Sequence, residues 1–419
     1  MYFSLFRCYT VCVKSSDLGK ESGVRSIMKK NIALTVVSAA LQRTALFCST
    51  GTLMQTFLSL VGFSANEVYI HSTVVQMVNV LTILIASGIG DRGRIIRRTA
   101  LAHIPLALMF LCYLPLCFSK EIGAGAFVLL LSVSVIQSAS LGIRTVLDYK
   151  LPYFLYTAKD YADVNAISGV VTAALGLVTG ALVSYLSAEM DYVLLMVWAF
   201  VISALLMAAA GFLVSLQRVA VNSDKQIAAE KQSSMSMLDV IRAPVFLHLL
   251  APNILRGFAS GATTVVAIAA LSRGYNEGVT SVMVSVESVA VFVAGFAFVF
   301  LARSLSSRSA ILIGSLPYLA MPLLLVRGNA PVLLAAYAVM MLGRNIVDNA
   351  VPSALIFAVP VEMAGQYNAL RMVLHNGGML LATGIAVFIP TEALFISATA
   401  AQLISGALFY CLPIMKKCP

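Results

Sequence analysis

Residues 192–216 read Tyr-Val-Leu-Leu-Met-Val-Trp-Ala-Phe-Val-Ile-Ser-Ala-Leu-Leu-Met-Ala-Ala-Ala-Gly-Phe-Leu-Val-Ser-Leu, without one charged residue. The hydrocarbon core of a bilayer is about 30 Å thick, which an α-helix crosses in about 20 apolar residues. A transmembrane barrel strand needs only about half that number. Only helices and closed barrels satisfy every backbone group where water is absent, so a run this long selects the helix.

The rest of the chain agrees. Of 419 residues, 60% are hydrophobic and 11% charged, and the mean hydropathy is +0.93. An ordinary soluble protein has about a quarter of its residues charged. So few charges cannot furnish a water-facing surface, which excludes a soluble enzyme. Apolar runs between polar breaks place spans at 32–60, 68–90, 97–118, 122–149, 164–187, 192–216, 245–272, 279–302, 308–326, 331–357, 366–389 and 392–415. The fold class read from this is an all-α integral membrane bundle of twelve transmembrane helices. Pro317, Pro322, Pro331 and Pro352 interrupt the ninth and tenth runs.

The net charge of +10 is a topology signal. With both termini in the cytoplasm, twenty of the 28 Lys and Arg residues fall on the cytoplasmic side and three (Lys120, Arg273, Arg327) on the other, the asymmetry of the positive-inside rule. No nucleic-acid partner is needed. The partners expected are the bilayer, a small-molecule substrate, and protons or a counter-substrate, with the protein acting as a monomer. The seven cysteines show neither metal-ligand spacing nor a disulfide framework, and no cofactor is expected. The absence of an Asn-x-Ser/Thr sequon fits the bacterial cytoplasmic membrane. Met28-Lys29-Lys30-Asn31 reads as a second start, which would make residues 1–27 a loose extension.

Residues 1–31 are thus read as a cytoplasmic extension, 32–216 and 245–419 as two six-helix halves, and the polar stretch 217–244 as a cytoplasmic linker. The halves repeat one another. Arg144-Thr-Val-Leu-Asp148-Tyr-Lys-Leu-Pro152 recurs as Arg344-Asn-Ile-Val-Asp348-Asn-Ala-Val-Pro352, two hundred positions on. Arg43 aligns with Arg256, and Gly62-Phe63 with Gly274-Tyr275, at an offset of about 212. Two six-span repeats of like orientation imply a pseudo-twofold along the membrane normal.

Twelve spans, a charged central loop and parallel halves resemble the major facilitator superfamily, whose members alternate access by rocking one half against the other around a midplane site. The loop Ser87-Gly-Ile-Gly-Asp91-Arg92-Gly93-Arg94-Ile-Ile-Arg97-Arg98 is similar to that family's G-x-x-x-D-R-x-G-R-R/K loop, with Ser87 in place of the first Gly and the later Gly one residue early. The connection from Pro152 through Lys159-Asp160-Tyr161 and Val164-Asn165-Ala166 to Gly176 and Gly180 is similar to that of macrolide-type efflux permeases, and Pro152-Tyr153 with Asp160-Tyr161 also resembles cation-coupled glycoside symporters.

Five arginines fall within spans: Arg43, Arg144, Arg256, Arg344 and Arg371. Each charge at that depth costs roughly 2.5 kcal/mol or more, so each is a candidate functional residue. At ~1.5 Å rise per residue, Arg43 lies ~16 Å into span one, close to the midplane, and Arg256 reaches the same level in span seven. A guanidinium fork matches carboxylate or phosphate bidentately, so this pair points to an anionic ligand. It also resembles the substrate site of organophosphate/phosphate antiporters. Asn253, Ser260 and Thr263 share the face of Arg256, and Gln42, Gln76, Asn79 and Asn376 could line the same cavity or bond between helices. Glu287 and His375 are candidate proton carriers; His71, His103 and His248 lie nearer span ends and read as interfacial. Arg144 with Asp148, and Arg344 with Asp348, stand at i, i+4 and read as gating ion pairs near the Asp91-Arg92 loop.

The function expected is secondary transport of a small organic solute, most simply an anion, by alternating access with proton coupling or exchange. Proton-coupled drug or metabolite efflux is an alternative, with Glu287 as carrier, and a non-transporting assembly factor is another. An enzyme is not expected: there is no His-Glu-x-x-His, no Gly-x-Ser-x-Gly and no phosphate-cradling glycine loop.

Overall fold

The computed structural model describes residues 21–49, 51–87, 95–118, 123–156, 158–219, 241–242, 244–356 and 364–412. Every regular element among them is helical. In chain order these are α1 (Glu21–Ser49), α2 (Gly51–Val61), α3 (Ala65–Ser87), α4 (Ile95–Leu101), α5 (His103–Cys112), α6 (Leu114–Cys117), α7 (Ala124–Lys150), α8 (Pro152–Leu155), α9 (Ala158–Glu189) and α10 (Tyr192–Ser215). The second half comprises α11 (Pro244–Thr263), α12 (Val266–Ser272), α13 (Glu277–Ser304), α14 (Ser307–Ser315), α15 (Ala330–Ile356), α16 (Ala364–Ile385) and α17 (Thr391–Cys411). Eleven spans among the described residues are long and apolar enough to cross a membrane. The remaining crossing is α16, whose Arg371, His375 and Asn376 lower its hydropathy.

Local sequence accounts for the irregular stretches. Span nine continues beyond α14 as a 3₁₀ helix, Leu316–Leu325, with Pro317 near its start and Pro322 inside it. Each proline removes a backbone donor and clashes with the preceding turn, so a regular α-helix cannot persist there. Span one begins earlier than its hydropathy indicates. Its helix starts at Glu21, and Met28 and Ile32 pack on a cluster containing Leu147, Leu151 and Tyr156.

The internal repeat is visible in the backbone. Gly62 and Gly274, 212 positions apart, both adopt positive φ, 107° and 86°. At the first, Phe63 N–H donates to Leu58 O (3.0 Å) and Gly62 N–H to Ser59 O (3.1 Å); at the second, Tyr275 N–H donates to Ala270 O (3.2 Å) and Gly274 N–H to Leu271 O (3.0 Å). This is one Schellman cap built twice, and only glycine takes its left-handed position without strain. Spans one and seven are also both interrupted before that cap, at the α1/α2 junction where Gly51 has φ 65°, and at Thr264-Val265 between α11 and α12.

Helix pairing repeats as well. In the first half α1 packs on α9 and α10, α3 on α7, and α5 on α10; in the second, α11 packs on α16 and α17, α13 on α15, and α14 on α17. The halves meet along two seams, α3 with α16 and α9 with α13, which the pseudo-twofold exchanges. Small residues permit these approaches. At Gly180 a Cβ would collide with Ser288, and Ser285 Oγ donates to Gly180 O at 2.6 Å. Inside the second half, a Cβ at Gly257 would strike the His375 carbonyl, and one at Gly378 the Ile254 carbonyl, so α11 and α16 touch backbone to backbone.

Away from the chain termini, the halves are held by uncharged bonds. Gln55 Nε2 donates to Thr264 O, and Thr56 Oγ1 donates to Thr280 Oγ1 at 3.0 Å. Both join α2 of the first half to span seven or span eight of the second. We call this the far end.

Candidate functional site

The charged groups inside the spans are concentrated in the second half. On α11, Arg256 is 5% exposed, and its Nη2 meets Asp348 Oδ1 of α15 at 3.1 Å. One turn before Asp348, Arg344 places Nε 3.6 Å from Asp348 Oδ2 and donates from Nη1 to Thr263 Oγ1 at 2.7 Å. Asp348 thus bridges arginines from two helices. Its side chain is 34% exposed and that of Arg344 24%, so the cluster opens on the α15 side and is walled by α11.

His375 and Arg371 occupy α16 one turn apart, both buried. Because the His375 backbone abuts Gly257, that part of α16 faces α11 next to Arg256. Arg256, Arg371 and Arg344 all lie within electrostatic reach of His375. Buried Nε of Arg371 and Nδ1 of His375 have no hydrogen-bond partner among the described residues. Asn253, on the Arg256 face of α11, is fully buried, with Nδ2 donating to Leu249 O at 2.8 Å. Ser260 is buried one turn further on.

The neighbour of His375, Asn376, reaches across a seam to donate to Asn79 Oδ1 of α3 at 3.4 Å. Gln76, one turn from Asn79, is half-buried on the same helix. Nearer the far end, Tyr337 of α15 donates to Glu287 Oε2 of α13 at 3.0 Å. Thr52 of α2 lies near the same phenol.

The first half is not the mirror of this arrangement. Asp148 accepts from Arg144 alone among the described ion pairs of that half, Nη2 at 2.6 Å and Nε at 3.0 Å. Arg43 is exposed. It lies about 140° round α1 from Ser38, which bonds Ala210 O of α10, so it points away from that packing face.

Several expectations change once these positions are known. Arg256 is not held open toward Arg43: Asp348 neutralises it, so those two arginines do not form a matched pair of bare cations. The two Arg-x-x-x-Asp pairs, read as gates, lie within single helices, and Arg256–Asp348 lies within one half. Every described ion pair is internal to a half, the fourth being Arg273 with Glu392. A bond inside one rigid unit does not break when two units rock, so in this state none of the described ion pairs joins the halves. Asp91 and Arg92 lie outside the described residues. His71 and His103, read as interfacial, are inside the first half: His71 Nε2 is 2.7 Å from Ser134 Oγ, and His103 is 1% exposed with Nδ1 2.8 Å from Thr99 O.

Sequence reading did not single out Tyr337 and gave Arg371 only a passing place. Tyr337 sits seven residues before Arg344, two turns along the same face, which is the signal that could have found it.

Comparison with known proteins identifies the scaffold. Residues 45–380 match the model of the MFS_1 like family. No curated protein sequence matches. Among solved structures, the chain is similar to a D-xylose-proton symporter (10% identity, 93% of this chain and 98% of that one, TM-score 0.68). It is also similar to a bacterial homologue of the iron transporter ferroportin in an outward-facing state (14% identity, 90% and 98%, TM-score 0.65). A third similar structure is the human organic anion transporter MFSD10 (13% identity, 91% and 99%, TM-score 0.62). These likenesses show that the chain shares the fold of these transporters. The chain belongs to the MFS_1 like family of major facilitator transporters.

Proposed function

We propose that the protein moves a small organic anion by alternating access, in a bacterial cytoplasmic membrane and with both termini in the cytoplasm. The observation that carries the anionic reading is a charge imbalance: away from the span ends, the described residues include five arginines (43, 144, 256, 344, 371) and three carboxylates (Asp148, Asp348, Glu287). Unmatched charge at membrane depth is costly, and an anionic solute supplies what the protein lacks. Arg43 from the first half and Arg344 with Arg371 from the second are the donors proposed. Gln76, Asn79 and Asn376 at the α3/α16 seam contribute amides. Bonds between the halves at the far end agree with a state closed there, which is inward-facing in this orientation.

Coupling is assigned to Glu287. Its carboxylate accepts from Tyr337, whose phenol lies near Thr52 of α2, the helix on which Thr56 bonds Thr280, and this proximity supports an action of protonation on the far-end contact. The same geometry serves the second reading, proton-coupled efflux of a drug or metabolite. Uptake of organic anions and of organic cations into proteoliposomes of the purified protein decides between them. The anionic reading requires saturable anion uptake that Arg43→Gln abolishes at normal expression. Saturable cation transport with no anion transport overturns it.

A further inference from the structure

Going beyond the assignment of Glu287, and independently of the solute's charge, we infer that His71 is a second proton-binding group of the transport cycle, placed in the first half and acting on the far end through Tyr113. Donor counting fixes the state of the ring. With the Gln137 amide oriented so that Oε1 faces the phenol, the Tyr113 hydroxyl donates its one proton there at 2.8 Å. Its 2.8 Å contact with Ser134 Oγ is then a bond that Tyr113 accepts, which uses the one proton of Ser134. His71 Nε2, 2.7 Å from Ser134 Oγ, must therefore be the donor, and Nδ1 is left as the basic nitrogen. No described hydrogen bond uses Nδ1, so a proton added there breaks no bond of the chain.

The surroundings of the ring hold no described cation to repel that proton. The helix carrying His71, α3, packs on α7, α16 and α2. There is no titratable residue on α7 before Arg144, none on α2, and none on α16 from Asn376 to Ile385, the stretch where Gly384 lies against Thr73. At the α5/α6 junction the chain meets Tyr113, beside Cys112. On its own helix Glu67 stands one turn before His71 on the same face, and Tyr69 on another. A helical side chain leans toward the N-terminus, so the ring lies over the turn of Glu67, where Ser64, Ala65 and Asn66 are exposed. Glu67 there accepts from Ser64 N–H and Oγ–H, both at 2.8 Å. Opening of the far end brings water to this turn, and an imidazolium then has both solvent and the Glu67 carboxylate to stabilise it.

A line of contacts leads from this chain to the bond between the halves. Tyr113 stacks on Phe200 with ring centroids 5.3 Å apart, and Phe200 meets Phe57 edge to face at 5.8 Å. Phe57 follows Thr56, whose hydroxyl bonds Thr280 of the second half. Tyr337, the donor to Glu287, lies near Thr52 of the same helix. One titratable group from each half is thus connected to α2. These contacts support an action of proton uptake at His71 on the far-end bond, in the direction of opening it.

The test uses the full-length protein in detergent, with its native cysteines changed to Ala, Gln55→Cys as the labelling site and a methanethiosulfonate as probe. Rates are compared with those of His71→Gln at the same pH, so that the thiolate fraction cancels. Lowering the pH from about 8 to about 5, the range in which histidine changes charge, is expected to speed labelling several-fold relative to His71→Gln. Glu287→Gln keeps this response. Ser134→Ala retains the imidazole and removes the acceptor of its Nε2–H, so the response moves to lower pH. Nitrogen NMR of the ring at about pH 8, with the His71 signal identified by its loss in His71→Gln, should show the proton on Nε2. An acid response of equal size in His71→Gln overturns the inference, even where that variant is less stable. A neutral ring protonated on Nδ1 overturns the donor order on which it stands. A response kept in His71→Gln and lost in Glu287→Gln overturns it while leaving Glu287 as the carrier.

Discussion

Arg256 and Asp348, on the first and fourth spans of the second half, meet at 3.1 Å with the arginine almost wholly buried. A pair of this kind is worth little against apolar replacements, yet removing one partner strands the other, at a cost of about 3–5 kcal/mol. Asp348→Ala is therefore expected to lower the melting temperature of the ligand-free protein sharply. Arg256→Gln with Asp348→Asn recovers much of the loss. A double variant no more stable than the worse single one contradicts the pairing.

The contact of α11 with α16 yields a matched comparison within two adjacent residues. A methyl at Gly378 meets the Ile254 carbonyl and Phe258 N, while one at Gly377 meets nothing within 4 Å. Gly378→Ala should destabilise by about 1–3 kcal/mol through forced separation of the helices. Gly377→Ala should be neutral or slightly stabilising, because alanine is the better helix former. Thermal unfolding of the two variants side by side checks this, and equal losses contradict the geometry.

The far-end contact is expected to set how readily that end opens. Thr56→Val or Thr280→Val removes a hydroxyl from the 3.0 Å bond between the halves at nearly constant volume. Solvent labelling of a cysteine placed at Gln55 should then accelerate several-fold. Unchanged labelling in both variants means that the bond does not hold the end closed.

Glu287 and Tyr337 make a graded pair. Glu287→Gln removes the ionisable group and should abolish the response of transport to an imposed pH gradient while exchange persists. Tyr337→Phe removes only the donor, and should leave a pH-driven flux that is reduced in rate. Full pH-driven transport by Glu287→Gln excludes this residue as the carrier.

Much of the scaffold was legible because it rests on properties that run along the chain. Span length follows from apolar runs, and the repeat follows from residues recurring at fixed offsets, which Gly62 and Gly274 show with the same cap. The site was legible only in its members. Arg256 and Asp348 were each visible as charges at depth, but spacing along one helix says nothing of the azimuth of another, so a ligand and a gate were read where there is one ion pair. Periodicity pairs Arg344 with Asp348 and cannot announce that Arg256 shares the same carboxylate. The 3₁₀ stretch of span nine was foreshadowed by Pro317 and Pro322, though the α-helix around them was not separable by hydropathy alone.

The contact at the far end, made by Gln55, Thr56, Thr264 and Thr280, contains no ion. When it opens, each hydroxyl or amide trades a protein neighbour for water at little net cost, and nothing ionised has to be rehydrated. Electrolyte screens charges and leaves neutral bonds almost untouched. Opening of this contact is therefore expected to be insensitive to buffer strength, while capture of an anionic cargo by the arginines, as proposed, is not, and salt should tell the two steps of one turnover apart.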